Sequence, residues 1–116
     1  MSTQYGRNQK WNVRPESRAI IRRMFVEVLG AKAASPSPKL DLYTLADGCN
    51  VGVFEDADAL DAAGARKGAW LELLVRDPIE TAKALEDAGV TRVEYMDKDH
   101  PYLQAGAGPV FRLARL

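Results

Sequence analysis

Cysteine and histidine are almost absent from this chain: Cys49 and His100 are the single examples among 116 residues. A lone cysteine excludes an internal disulfide and points to the reducing cytoplasm. One histidine and one cysteine cannot assemble the His/Cys donor set of a zinc site. No apolar run approaches the roughly 20 residues that a membrane helix needs, so no membrane partner is expected. The opening Met1-Ser2-Thr3-Gln4-Tyr5-Gly6-Arg7 is polar and lacks the apolar stretch of a secretion signal. Net charge is missing too, with 16 Lys and Arg against 16 Asp and Glu. No basic cluster is denser than Arg22-Arg23 and no aromatics are interleaved with it, so nucleic acid is not an expected partner. No serine or cysteine nucleophile stands at a recognisable spacing from His100, and Cys49 falls in a hairpin turn beside Gly48.

What the chain does contain is enough apolar material for a core. Its 47% hydrophobic and 28% charged residues are ordinary for a soluble globular protein. At this length it forms one compact domain, 1–116, with no room for two independent ones. The charges are segregated. Residues 1–40 carry eight Lys/Arg against two Glu, and residues 41–116 carry eight against fourteen Asp/Glu. Halves of opposite sign suit pairing across a two-fold axis, which predicts a homodimer.

The sequence also repeats itself. Val13-Arg14-Pro15-Glu16 opens an amphipathic stretch that closes on Gly30, and Val75-Arg76-Asp77-Pro78-Ile79-Glu80 opens another that closes on Gly89. A short strand leads into each opening and two or three strand-like segments follow each glycine, so the repeat covers about half the chain. The first unit, 9–55, has a strand at 9–13 and a helix at 16–29 with Ile20, Ile21, Met24, Phe25, Val28 and Leu29 on one face. Ser35-Pro36-Ser37-Pro38 reads as a loop, because two close prolines do not fit a helix or a central strand. A hairpin follows, 40–45 and 50–55. Residues 56–68, acidic and alanine-rich, form the connector with room for a helical turn. The second unit, 69–116, has strands at 69–75, 90–96, 102–105 and 110–114. Its helix at 78–88 buries Ile79, Ala82 and Leu85, with Pro78 suited to the first turn. The fold class is therefore α+β, two βαβββ modules in one domain.

This order of elements, with Met24-Phe25-Val26-Glu27-Val28-Leu29-Gly30, the strand and turn at Leu71–Pro78 and the final hairpin at Leu103–Leu113, resembles the glyoxalase/bleomycin-resistance/extradiol-dioxygenase superfamily (the vicinal oxygen chelate fold). In the last hairpin an acidic turn is usual there, whereas this chain has Ala105-Gly106-Ala107-Gly108. The resemblance implies curled sheets around a concave cleft, usually completed by dimerisation. It also implies a divalent metal held by His and Glu from four strand positions. Those positions fall near Asn8, Gly52, Trp70 and Arg112, a set unsuited to the role: glycine offers no side-chain donor, an indole only an N–H, and a guanidinium repels the metal. No metal and no cofactor is therefore expected. Asp56, Asp58 and Asp61 loosely resemble a calcium loop, but its turn glycine is missing, and a solvated connector is the better reading.

Alternation along the strands defines the wall of a cleft without reference to any family. Leu71, Leu73 and Val75 share one face; Trp70, Glu72 and Leu74 share the other. On the same logic Phe54, Tyr102, Gln104 and Arg112 join Trp70 and Glu72 on the mixed face. Aromatic area with a few polar anchors is how small-molecule sites are usually built, although mixed faces are also left wet or packed against a second subunit. His100, beside Asp97 and Asp99, invites a general-base role, but adjacent residues of an extended segment diverge, so a polar histidine at the cleft mouth is the plainer reading. Arg112 needs a partner, either Glu72 across the sheet or a ligand carboxylate or phosphate. The expectation is a metal-free binder of a small organic molecule, with an anionic group among the candidates. A metal-dependent lyase, isomerase or dioxygenase, and a structural or partner-binding module, are the alternatives.

Overall fold

A computed structural model describes all residues, 1–116. The chain runs β1 (Asn8–Val13), α1 (Arg18–Arg22), β2 (Lys32–Ser37), β3 (Leu40–Thr44), β4 (Asn50–Glu55), α2 (Ala62–Gly68), β5 (Trp70–Val75), α3 (Pro78–Asp87), β6 (Thr91–Arg92), β7 (Tyr102–Gln104) and β8 (Val110–Arg115). The strands form two four-stranded mixed sheets, ordered β1-β4-β3-β2 and β5-β8-β7-β6. In each, the strand before the helix pairs in parallel with the last strand of its module: β1 with β4, β5 with β8. The two copies of the repeat are thus two copies of one sheet, and neither sheet closes.

The first helix is longer than α1 itself. It opens from a 3-10 turn at Pro15–Ser17 and widens into a π-helical stretch at Arg23–Val28. The Leu29 amide donates to the Met24 carbonyl and the Ala31 amide to that of Phe25, an exit that needs Gly30 at φ 70°. The wide turn leaves Met24 and Phe25 both buried. Phe25 stacks on Tyr43 at 4.7 Å and meets Trp11 and Phe111, so the first helix touches both sheets. One core results, joining Val13, Ile21, Phe25, Val53, Leu85, Leu103, Phe111 and Leu113.

Three sequence expectations are corrected. Ser35-Pro36-Ser37 is not loop but part of β2, paired with β3 through a register shift between Ala34 and Ser37. Proline is tolerated because β2 is an edge strand, whose outer amides need no partner. Residues 90–96 are not one strand. Only Thr91 and Arg92 pair, because β7 opposite them is three residues long. The Val93 amide reaches the Tyr102 carbonyl, after which the chain leaves the sheet. Ile79 is 76% exposed, so α3 buries Ala82 and Leu85 alone. The connector holds α2, capped by Asp61, whose carboxylate accepts from the Gly64 amide at 2.7 Å. Asp56 accepts from Asn12 and the Asp58 amide. Two of the three acidic residues of the calcium-like pattern are thus engaged in capping and turn formation.

Candidate functional site

Register alone sets the centre of the site. Glu72 on β5 lies opposite Arg112 on β8, which lies opposite Tyr102 on β7. The three stand in one row on the face turned away from the core, while Leu71, Phe111 and Leu103 form the row facing it. Arg112 donates to Glu72 through Nε at 3.0 Å and Nη2 at 2.5 Å. Its guanidinium carbon sits 4.4 Å from the Trp70 ring centre, a cation–π contact. Its Nη1 is 3.9 Å from the Asp97 carboxylate.

Asp97 is the hub that the sequence reading missed. Its Oδ2 accepts from the Tyr102 hydroxyl at 2.8 Å and lies 2.8 Å from His100 Nδ1. Its Oδ1 accepts from the Asp99 amide. That amide first, then the Tyr102 hydroxyl and His100, hold the Asp97 carboxyl down at about 2. Against an anionic Asp97, His100 Nδ1 carries the proton and donates. Tyr102 is pushed up by burial and by the Asp97 carboxylate. The loop does what an extended segment cannot: in a turn, residues three apart converge, so His100 meets Asp97 and not its neighbour Asp99. Tyr95, carried by the same loop, lies 4.4 Å from the Tyr102 ring, and Trp70 meets Tyr102 edge-on at 6.0 Å. An Asp two residues before another Asp in a polar run is an Asx-turn signal, and it was the available pointer to Asp97.

Of the seven residues read from the sequence, Trp70, Glu72, His100, Tyr102 and Arg112 come together. Gln104 and Phe54 do not join them. Gln104 is fully buried and its amide is spent: Nε2 donates to the Ala62 and Gly108 carbonyls, and Oε1 accepts from Arg66 Nε. It pins α2 onto the second sheet and lines no opening. Phe54 lies on the first sheet, with Lys10 Nζ 5.0 Å from its ring centre. Of the two partners weighed for Arg112, Glu72 is the one it takes.

A second feature lies between the modules. A groove of about 470 Å³ runs between β1 and β5, with Trp11, Phe25, Val51, Leu71, Leu73 and Phe111 among its lining. Both bordering strands are sheet edges. Cys49 lies on the groove wall, its thiol pushed up by the Asp47 side chain. The inherited metal positions do not fit a metal: Gly52 has no donor, Arg112 is a cation held by Glu72, and no three His, Cys, Asp or Glu side chains are placed to hold a metal ion together. No helix is long and apolar enough to cross a membrane.

No family model and no curated protein matches the chain by sequence. Solved structures match it closely in shape. A member of the glyoxalase/bleomycin resistance protein/dioxygenase superfamily from Sphaerobacter thermophilus superposes with a TM-score of 0.64 at 18% identity, covering 98% of each chain. A putative glyoxalase family protein from Bacillus anthracis gives 0.68 at 12% identity, covering 97% of this chain and 95% of that one. The fosfomycin resistance protein FosX from Listeria monocytogenes, complexed with Mn(II) and a sulfate ion, gives 0.73 at 13% identity over 99% and 91%. The chain has the vicinal oxygen chelate fold, the fold of the glyoxalase/bleomycin-resistance/dioxygenase superfamily.

Proposed function

We propose that this protein is a metal-free small-molecule-binding protein of the glyoxalase/bleomycin-resistance type, acting as a cytoplasmic homodimer. The observation that carries the reading is the convergence of Trp70, Tyr95 and Tyr102 with Glu72, Arg112, Asp97 and His100 on one open face. Aromatic area beside a few oriented polar groups recognises a small organic molecule by shape and by hydrogen bonds. The positions where the family resemblance implies metal ligands carry Asn8, Gly52, Trp70 and Arg112, and catalysis through a metal finds no support in these side chains.

The dimer follows from the groove. Its apolar lining and its two open strand edges, with Leu74 56% exposed at the rim, are surfaces a second copy would cover. Native mass spectrometry of protein purified without added ligand tests the whole proposal. The expected species is a dimer of about twice 12.8 kDa that carries an organic molecule and no stoichiometric zinc, iron, nickel or manganese. Chelators should leave Tm unchanged, because there is no metal-binding energy to lose. One metal per chain, or a clean monomer at high concentration, overturns it.

A further inference from the structure

The open face of the second sheet is short of positive charge. Glu72 and Asp97 are both carboxylates there, and Arg112 is the one permanent cation within 4 Å of either. Lys98, the nearest cation in sequence, turns away to Glu94. Arg112 spends its shorter hydrogen bonds on Glu72 and stands 3.9 Å from Asp97, so the second carboxylate keeps only the Tyr102 hydroxyl, the Asp99 amide and His100. An anionic ligand arriving here meets one guanidinium already neutralised and a second, uncompensated negative charge. A cation meets that charge and three aromatic rings. Arg112 itself demonstrates how such a cation is held: its guanidinium lies on the Trp70 ring, against Glu72 and beside Asp97.

Resting on the small-molecule reading above, and deepening it, we propose that the ligand is an organic cation: a quaternary ammonium or guanidinium group on an apolar body. Trp70 and Tyr95 form the walls, Glu72 and Asp97 the counter-charges, and Arg112 keeps the cation's place in the free protein. The ligand displaces Arg112 from Trp70, and the arginine, long and only partly buried, swings to solvent. Arg112 therefore competes with the ligand, the reverse of an anchor.

The test uses three matched probes, benzyltrimethylammonium, benzyl alcohol and benzoate, titrated into the full chain by NMR. The indole N–H of Trp70 reports the site, and that of Trp11, half-buried against the core on the wall of the groove between the modules, reports any binding there instead. The ammonium probe should shift Trp70 and not Trp11, more tightly than the alcohol, with benzoate inert. Arg112→Met should tighten the ammonium probe about tenfold, the scale of one cation–π contact freed from competition. Glu72→Gln should weaken it. Benzoate binding preferentially, with Arg112→Met abolishing it, overturns the cation proposal while leaving a small-molecule site in place. Ammonium binding no tighter than the alcohol also overturns it. If Arg112→Met does not fold, the three-probe comparison on the unmodified chain decides alone. An organic molecule of other charge found on the purified protein would overturn the ligand class without touching the binding function.

Discussion

Replacing Arg18 with methionine should cost more stability than its place near the surface suggests, and the loss should vanish in acid. The guanidinium grips Asp41 with two bonds, Nη2 to Oδ1 at 2.8 Å and Nε to Oδ2 at 3.0 Å. Its Nη1 donates to Glu55 at 3.1 Å and to the Pro38 carbonyl at 2.8 Å. One side chain from the first helix thus ties together β3, β4 and the turn that ends the edge strand β2. Asp41 is 5% exposed, and without Arg18 it keeps only the Ser35 hydroxyl at 2.9 Å. Breaking a buried ion pair from one side costs about 3–5 kcal/mol. Arg18 retains 22% side-chain exposure, so the lower figure, about 3 kcal/mol, applies. At about 4 °C per kcal/mol for a domain of this size, Tm should fall by about 12 °C at pH 7.

The pH dependence carries a sign of its own. Arg18 holds the Asp41 carboxyl below its ordinary value of 3.8. A carboxylate depressed in the folded state stabilises the fold above its unfolded value and loses that contribution as pH falls through the folded one. In Arg18→Met the same carboxyl is buried with only the weaker, unbonded influence of Arg22 as counter-charge, so its pKa rises and it protonates earlier. The gap in stability between the two proteins should therefore be wide at pH 7 and narrow toward pH 3. Arg18→Met combined with Asp41→Leu should recover most of the loss, since no buried charge is left unpaired. Thermal melts by circular dichroism across this range are the assay. A Tm loss under about 3 °C at pH 7, or one equally large at pH 3, refutes the reasoning.

Three further outcomes are expected. Gln104→Leu leaves the Ala62 and Gly108 carbonyls and Arg66 without their partner and should destabilise by about 2–3 kcal/mol in urea unfolding, with no effect on probe shifts at Trp70 beyond that. Gly106→Ala sets a Cβ 2.8 Å from Ser17 Oγ at a backbone φ of 55°, and should cost about 1–3 kcal/mol by the same measurement, because the Ser17–Ala107 hydrogen bond that ties the first helix to the last turn must give way. Leu74→Glu places a charge on the exposed edge of β5 and should shift sedimentation toward monomer while the far-ultraviolet spectrum is unchanged; a dimer that survives it places the subunit contact elsewhere.

Periodicity and punctuation were enough to find most of the fold. The duplicated strand–helix openings, Gly30 and Gly89, and the alternation along 50–55, 69–75 and 110–114 specify two modules and the faces of their strands, because each of these signals is local: a side chain two positions on lies on the same side, and a glycine free to take positive φ closes the helical turn before it. That Glu72, Arg112 and Tyr102 share a face was legible for the same reason. What the sequence did not carry was anything that depends on which neighbour a strand acquires. Whether Ser35-Pro36-Ser37 is loop or edge strand depends on β3 having a free side. The fate of residues 93–101 depends on β7 being too short to hold them, and only that detachment brings Asp97 under Tyr102 and His100. Gln104 was placed on the right face, yet α2 covers that end of the sheet and its amide is consumed there. Alternation tells which way a side chain points; only the tertiary fold decides whether it meets solvent, another element or a charge.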